Sequence, residues 1–253
     1  MNAIDVNEVA MPLGGGSPSS SHKQSHGRVM GTATKAASFG VLLFSTTVLI
    51  MMVYTLRTTR AMTAGWGDFA LHPILMTLGF GFLAPIALTS YRLLEDVFGV
   101  SHYNAKMVHG VLLTAALLCG ILGVIDMWIV HGKGANGWEN HLVSVHSWLG
   151  LAAILAFSIQ WLTGAWYYWA GVPTIPAKKA WMPAHILLGS FAAFGTLASI
   201  TLGILSFDYP GAKEKSKTDG YKVYNSPEQI QFKVISLFVG VTAFCLAVAM
   251  RRR

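Results

Sequence analysis

Four of the nine histidines in the chain recur at nearly equal intervals, and their positions suggest metal chemistry. They are His72, His109, His146 and His185, and each falls within the first turns of a long apolar run. An ionisable side chain is costly in hydrocarbon and usually has a functional partner there. A six-coordinate iron has two axial positions that accept imidazole nitrogens, so two such histidines can share one iron.

The elements that would position these histidines are membrane-spanning helices. The chain has 253 residues, of which 53% are hydrophobic and only 11% charged, which is typical of an integral membrane protein. A helix needs about 20 apolar residues to cross a hydrocarbon core about 30 Å thick. Uncharged runs of about that length cover residues 36–56, 69–91, 107–125, 143–165, 180–207 and 234–250. We therefore predict an all-α membrane protein with six transmembrane helices in the lipid bilayer.

The alternating direction of these helices predicts how the histidines pair. Because the chain reverses at every crossing, histidines placed early in four successive helices alternate between the two faces. His72 and His146 should lie near one face, and His109 and His185 near the other. Two iron groups would then need four helices, since no span contains two buried histidines. Glycines in the same helices could make room for a planar macrocycle, although small residues also serve ordinary packing between membrane helices.

The other histidines and the chain ends complete the predicted organisation. We expect His102, His131 and His141 in connecting segments, and residues 1–35, which are polar and rich in Gly and Ser, as a disordered cytoplasmic tail. Residues 36–250 would form the membrane domain and 251–253 a basic cytoplasmic end. The net charge of +7 comes from residues between and beyond the spans, which favours membrane topology over a nucleic-acid partner.

Several motifs resemble the cytochrome b561 family of transmembrane ascorbate-dependent oxidoreductases. The similarity covers about residues 40–206. Its most distinctive part is "SVHSWLG" in the fourth span, and the remaining matches are "HPILMTLGFGFL", "YRLL", "KMVHG", "QWLTG" and "MPAHILLG".

The resemblance implies a central four-helix bundle, at about residues 69–207, that holds two haems b. His109 and His185 would ligate the cytoplasmic haem, and His72 and His146 the opposite one. Electrons would pass from cytoplasmic ascorbate to monodehydroascorbate or a ferric chelate beyond the membrane, and homodimers are usual in the family. Vacuolar, vesicular, endosomal and plasma membranes all fit the sequence.

Further residues are predicted to contact the haems or the substrates. Arg92, Ser147 and Trp148 are candidate haem contacts, while Lys106, Lys178 and Lys179 are candidates for binding the ascorbate anion. His141 is a candidate for the electron acceptor. The cations could instead mark the cytoplasmic ends of helices, Trp148 could belong to the aromatic belt, and a loop histidine could be inert.

The alternative function is a histidine-lined transporter for a transition metal or protons. Such a protein is expected to gather its ligands in one cavity at the middle of the membrane, usually with carboxylates, whereas these spans contain almost no acidic residue. The chain also departs from the family pattern. It has Pro85 and Ile86 where an acidic residue is usual, lysines at 178 and 179 where Arg is common, and a long 208–229 connection. Pro85 is expected to kink its helix.

Overall fold

The computed structural model of the chain describes residues 31–58, 69–132, 141–206 and 227–251. Within these ranges it contains six helices and no strand, and all six are long and apolar enough to cross a membrane. The helices are α1 Thr32–Thr58, α2 Leu71–Val97, α3 His102–Gly132, α4 Val145–Trp169, α5 Ile175–Ser206 and α6 Pro227–Met250. The predicted fold class is confirmed, and the protein is an integral multi-pass membrane protein.

Contacts near the helix ends define two faces of the bundle. The end of α2 meets the end of α6, where the Arg92 guanidinium donates to the Arg251 carbonyl at 3.2 Å. We call this side, where α1 begins and α6 ends, the terminal face. On the other side, the far face, Trp128 near the end of α3 stacks on His141 just before α4.

The helices extend further than the apolar runs predicted. The helix α3 begins at His102 and ends at Gly132, so the expectation that His102 and His131 lie in connecting segments is wrong. Charged residues such as Lys106 interrupt an apolar run without interrupting a helix, because straight-chain residues are good helix formers. The helix α1 begins at Thr32, inside the predicted tail, and residues 1–30 lie outside the described residues.

The helices pack in three pairs, two of them sequential and the third between α1 and α6. The most extensive contacts join α2 to α3, α4 to α5, and α1 to α6. The buried core includes Phe80 of α2, which meets Phe157 of α4 edge to face with ring centres 5.1 Å apart. Small residues bring α2 and α3 close together, and the ring of Phe80 lies directly over Gly120.

The irregularity in α2 precedes Pro85 and takes the form of a π-helical segment over Thr77–Leu83. The backbone N–H of Ala84 donates to the Gly79 carbonyl, five residues earlier. Proline has no N–H to donate, so the hydrogen-bond ladder of the helix lacks one bond at Pro85. The wider turn ahead of it accommodates this gap without ending the helix. The α-helix resumes at Ala84 and continues through Tyr91.

Candidate functional site

Two histidines of different helices face each other near the far face. His72 lies near the start of α2 and His146 near the start of α4. Their ring centres are 6.0 Å apart and the ring planes are nearly perpendicular, at 89°. This spacing agrees with one metal between two nitrogens, since about 2 Å from metal to nitrogen and about 1 Å from nitrogen to ring centre give about 6 Å in all.

Backbone carbonyls fix the orientation of both rings. The Nδ1 of His72 lies 2.9 Å from the Gly123 carbonyl, and the Nδ1 of His146 lies 2.8 Å from the Ser199 carbonyl. A carbonyl can only accept a hydrogen bond, so each Nδ1 carries the proton and donates it. A neutral ring with its proton on Nδ1 has an unprotonated Nε2, which is the form that binds a metal.

The other two histidines lie near the terminal face. His109 is about two turns into α3 and His185 about three turns into α5. The Nδ1 of His109 donates to the Ala87 carbonyl at 2.8 Å. That of His185 instead lies 2.7 Å from the Gln160 side-chain nitrogen. The rings of Tyr91 and Tyr168 pack against His109 and His185 respectively, each with ring centres 5.2 Å apart.

The backbones of the helices that carry each histidine pair are set apart. Within the described helices, α2 meets α4 only through side chains such as Phe80 and Phe157, and α3 and α5 are not close neighbours, so each pair spans a diagonal of the four-helix bundle. At the far face the space is a cavity of about 380 Å³, lined by residues that include His72, His146 and Gly203. That volume lies within the range of cofactor sites in proteins.

Glycine makes the approach of His146 to α5 possible. A Cβ added at Gly203 would lie 2.8 Å from the Cε1 of His146, closer than real side chains pack. Gly150 has a similar role, because its Cβ would lie 2.9 Å from the Ser199 hydroxyl oxygen. That hydroxyl is itself 3.2 Å from the Nδ1 of His146.

These observations fit a planar iron macrocycle at the far-face pair. Two imidazoles that donate from Nδ1 to carbonyls, with ring centres 6.0 Å apart and a cavity between their helices, offer the donor set and the space that a haem b needs. At the terminal face the donor set is again two imidazoles on diagonal helices, flanked by two tyrosine rings.

The cationic candidates occupy the terminal face. The ammonium of Lys106 donates to the carbonyl of Tyr168, the residue whose ring packs on His185. The hydroxyl of Tyr168 donates to the Lys178 carbonyl at 3.3 Å. Lys178 is partly buried and Lys179 is exposed. The structure thus brings Lys106 and Lys178 to the tyrosine beside His185, while the Arg92 guanidinium points to the end of α6.

The remaining candidates lie at the far face. Ser147 lines the cavity, and its backbone N–H donates to the hydroxyl of Ser144, which caps α4. Trp148 is 60% exposed on the surface of the bundle. His141 lines the cavity together with His131, with their ring centres 5.5 Å apart.

Sequence reasoning missed the partners of the histidines. Ser199 and the carbonyls of Ala87 and Gly123 gave no signal, because any residue offers a backbone carbonyl. Gln160 did give one, since it is an amide within an apolar span, and Tyr168 follows it near the end of the same helix.

Comparisons with known proteins agree with this architecture. The sequence profile of a family described as eukaryotic cytochrome b561 matches residues 71–209, more than half of the chain. A rice protein described as a probable ascorbate-specific transmembrane electron transporter 2 is 32% identical over 139 residues, 54% of this chain and 56% of its own. A transmembrane ascorbate ferrireductase 2 of Arabidopsis thaliana is 31% identical over 137 residues, with the same two coverages.

An animal protein shows similar resemblance. A plasma membrane ascorbate-dependent reductase of Xenopus laevis is 30% identical over 162 residues, 62% of this chain and 55% of its own. The chain spans about half the length of the curated relatives it matches. Because the family profile covers α2 to α5, the helices that carry all four paired histidines, this chain belongs to the eukaryotic cytochrome b561 family.

Proposed function

We propose that the protein transfers electrons across the membrane from ascorbate to monodehydroascorbate or a ferric chelate. The observation that carries this proposal is the far-face pair, in which two imidazoles on diagonal helices lie at the spacing of two axial ligands. Family membership and relatives named as ascorbate-dependent reductases support the same activity.

In this proposal two haems b lie between the diagonal helices, one near each face. His72 and His146 hold one of them, and His109 and His185 hold the other. When bound, each haem supplies a one-electron iron couple within the hydrocarbon layer. Because two imidazoles would hold each iron, neither site would leave a coordination position open to oxygen.

The side chains at the two faces would serve the two substrates. At the terminal face, which we propose is cytoplasmic, Lys106, Lys178 and Lys179 attract the ascorbate anion and balance its charge. Arg92 is proposed to neutralise a haem propionate at the same face. At the far face, His141 donates a hydrogen bond to the acceptor, while Ser147 and Trp148 contact the haem.

The chain is also proposed to act as a homodimer, as is usual in the family. A transporter for metal ions or protons is less well supported. Within the described residues, no group of three or more His, Cys, Asp or Glu side chains is arranged to hold a metal ion. The histidines lie in two pairs near opposite faces.

The haem sites can be tested by spectroscopy on the purified protein in detergent. We expect the spectrum of bis-imidazole haem b, about two haems per chain, and reduction of these haems on addition of ascorbate. The variant His146→Ala should lose one haem of the two, since only the far-face pair is broken. A colourless protein, or a variant that keeps both haems, would contradict the proposal.

A further inference from the structure

The side chain of Gln160 in α4 contacts His185 twice. Its amide nitrogen is 2.7 Å from the Nδ1 of His185 and 2.7 Å from the carbonyl oxygen of the same residue. It also covers Gly189, where an added Cβ would lie 3.1 Å from that nitrogen. The amide oxygen is buried and has no hydrogen-bond partner among the described residues.

His185 therefore differs from the other three paired histidines. Each of those donates its Nδ1 proton to a backbone carbonyl, which can only accept. A glutamine amide can either donate or accept, and turning it exchanges the two atoms at one place. Among the four rings, the tautomer of His185 is the one that depends on how a side chain is turned.

The two orientations of the amide have different consequences for the ring. With the amide nitrogen facing Nδ1, that ring atom accepts, and the ring proton lies on Nε2, where a metal would bind. With the amide oxygen facing it, Nδ1 carries the proton and donates, so Nε2 is free to bind a metal.

We propose that Gln160 is a positioning residue for His185, and that its hydrogen bond to Nδ1 sets the reduction potential of the terminal-face haem. This inference rests on the proposed function. In the haem-bound protein the Gln160 amide is turned, at the cost of its bond to the His185 carbonyl, so that its oxygen accepts the hydrogen bond from Nδ1. An acceptor at this atom makes the imidazole a stronger donor to iron, which favours the oxidised metal and lowers the potential.

The proposal is tested by redox titration of Gln160→Met in a protein that also carries His146→Ala, so that the terminal-face haem titrates alone. Methionine has nearly the length of glutamine but cannot form the hydrogen bond. We expect the ratio of reduced to oxidised haem at a fixed potential to rise about tenfold, which is about 59 mV for a one-electron couple.

Two further variants serve as controls. Gln160→Glu keeps an oxygen acceptor at the same length, so its potential should lie at or below that of the unsubstituted site. Ser158→Ala lies in the same helix as Gln160 and removes a hydroxyl that donates to the Ile154 carbonyl of that helix at 2.9 Å. This variant should leave the potential of the terminal-face haem within a few millivolts of its original value, an effect far smaller than the tenfold ratio.

Haem retention provides a second measurement. If Gln160→Met loses the terminal-face haem while Gln160→Glu keeps it, the hydrogen bond is needed for ligation and the proposal stands. It is overturned if the methionine variant titrates like the unsubstituted site or at lower potential, if both variants shift upward, or if both lose the haem. An unsubstituted protein without haem would instead overturn the proposed function.

Discussion

At the scale of the residue, a hydrogen bond donated by Nδ1 would prepare a histidine to bind a metal through Nε2. Three of the four rings obtain it from the backbone of a neighbouring helix, at 2.8 or 2.9 Å. Helix carbonyls accept such bonds in addition to their own ladder because each has two lone pairs. The orientation of these rings therefore depends on helix packing, and the accepting carbonyl remains in place when its side chain is substituted.

A substitution at Gly203 should disturb the far-face site selectively. In Gly203→Ala, the new Cβ would lie 2.8 Å from the Cε1 of His146, so the ring must move away from its present position. We expect the far-face haem to be retained at least about tenfold less tightly, while the terminal-face haem stays. The number of haems that remain per chain after repeated washing in detergent measures this loss of affinity.

The matched control is Gly240→Ala in α6, where an added Cβ meets no atom within 4 Å. This variant should hold both haems like the unsubstituted protein. If Gly203→Ala also held both, contact between α5 and His146 would not limit the site.

The sequence predicted which residues could form the site better than it predicted what holds them. Helix direction alone pairs His72 with His146, and the structure places their rings 6.0 Å apart. Their binding of iron stays a prediction. The carbonyl of Gly123 is 51 residues from His72 along the chain, so the contact depends on the register of two packed helices, which apolar periodicity does not determine.

At the scale of the element, α2 combines a π-helical segment with the most buried aromatic ring of the bundle. Phe80 lies within this segment and is only 2% exposed. Its ring fills the space over Gly120 of α3 and meets Phe157 of α4. One side chain thus ties three of the four histidine-bearing helices together.

Truncating this side chain should destabilise the whole bundle. For Phe80→Ala we expect a loss of about 3–5 kcal/mol in the free energy of unfolding, because the cavity would lie among three helices that cannot all close on it. Thermal or denaturant unfolding in detergent measures the change. Phe244→Ala is the control, since Phe244 lies in α6 and is 70% exposed on the surface of the bundle. Equal losses in the two variants would contradict this account of the core.

Apolar runs predicted all six helices but not their ends. The run that suggested 107–125 belongs to a helix that continues from His102 to Gly132. The helical turns outside this run contain Lys106 and Asp126, whose charged side chains mark the ends of the uncharged run. In the structure Lys106 donates to the Tyr168 carbonyl, so a tertiary contact satisfies its ammonium group inside the helix, and Asp126 is fully buried among the packed helices.

At the scale of the whole molecule, the paired histidines lie near two opposite faces of one bundle. Charge counts on the connecting segments gave only a weak orientation, and part of those segments lies outside the described residues. The proposed reaction therefore needs a vectorial test, in which donor and acceptor are kept on different sides of a membrane.

Electron transfer across the bundle should respond to membrane potential. An electron that crosses without a proton moves one charge, and a full crossing is worth about 2.3 kcal/mol per 100 mV. In liposomes loaded with ascorbate, an interior-negative potential set by valinomycin and a potassium gradient should accelerate reduction of an external ferric chelate. Liposomes with equal potassium on both sides are the control. If the rate of ferric chelate reduction is the same with and without the membrane potential, a compensating charge crosses with the electron.

The packing of α1 against α6 has a consequence for how the protein is made. The buried surface of α1 includes Val41, Val48 and Met52, and α6 is the helix that it contacts most extensively. A ribosome synthesises α1 before α6, so α1 stays in the membrane without this partner until α6 has been inserted. Chains interrupted before residue 227 would leave the surface of α1 that packs against α6 open to lipid, so chains with and without α6 would differ in exposed helix surface.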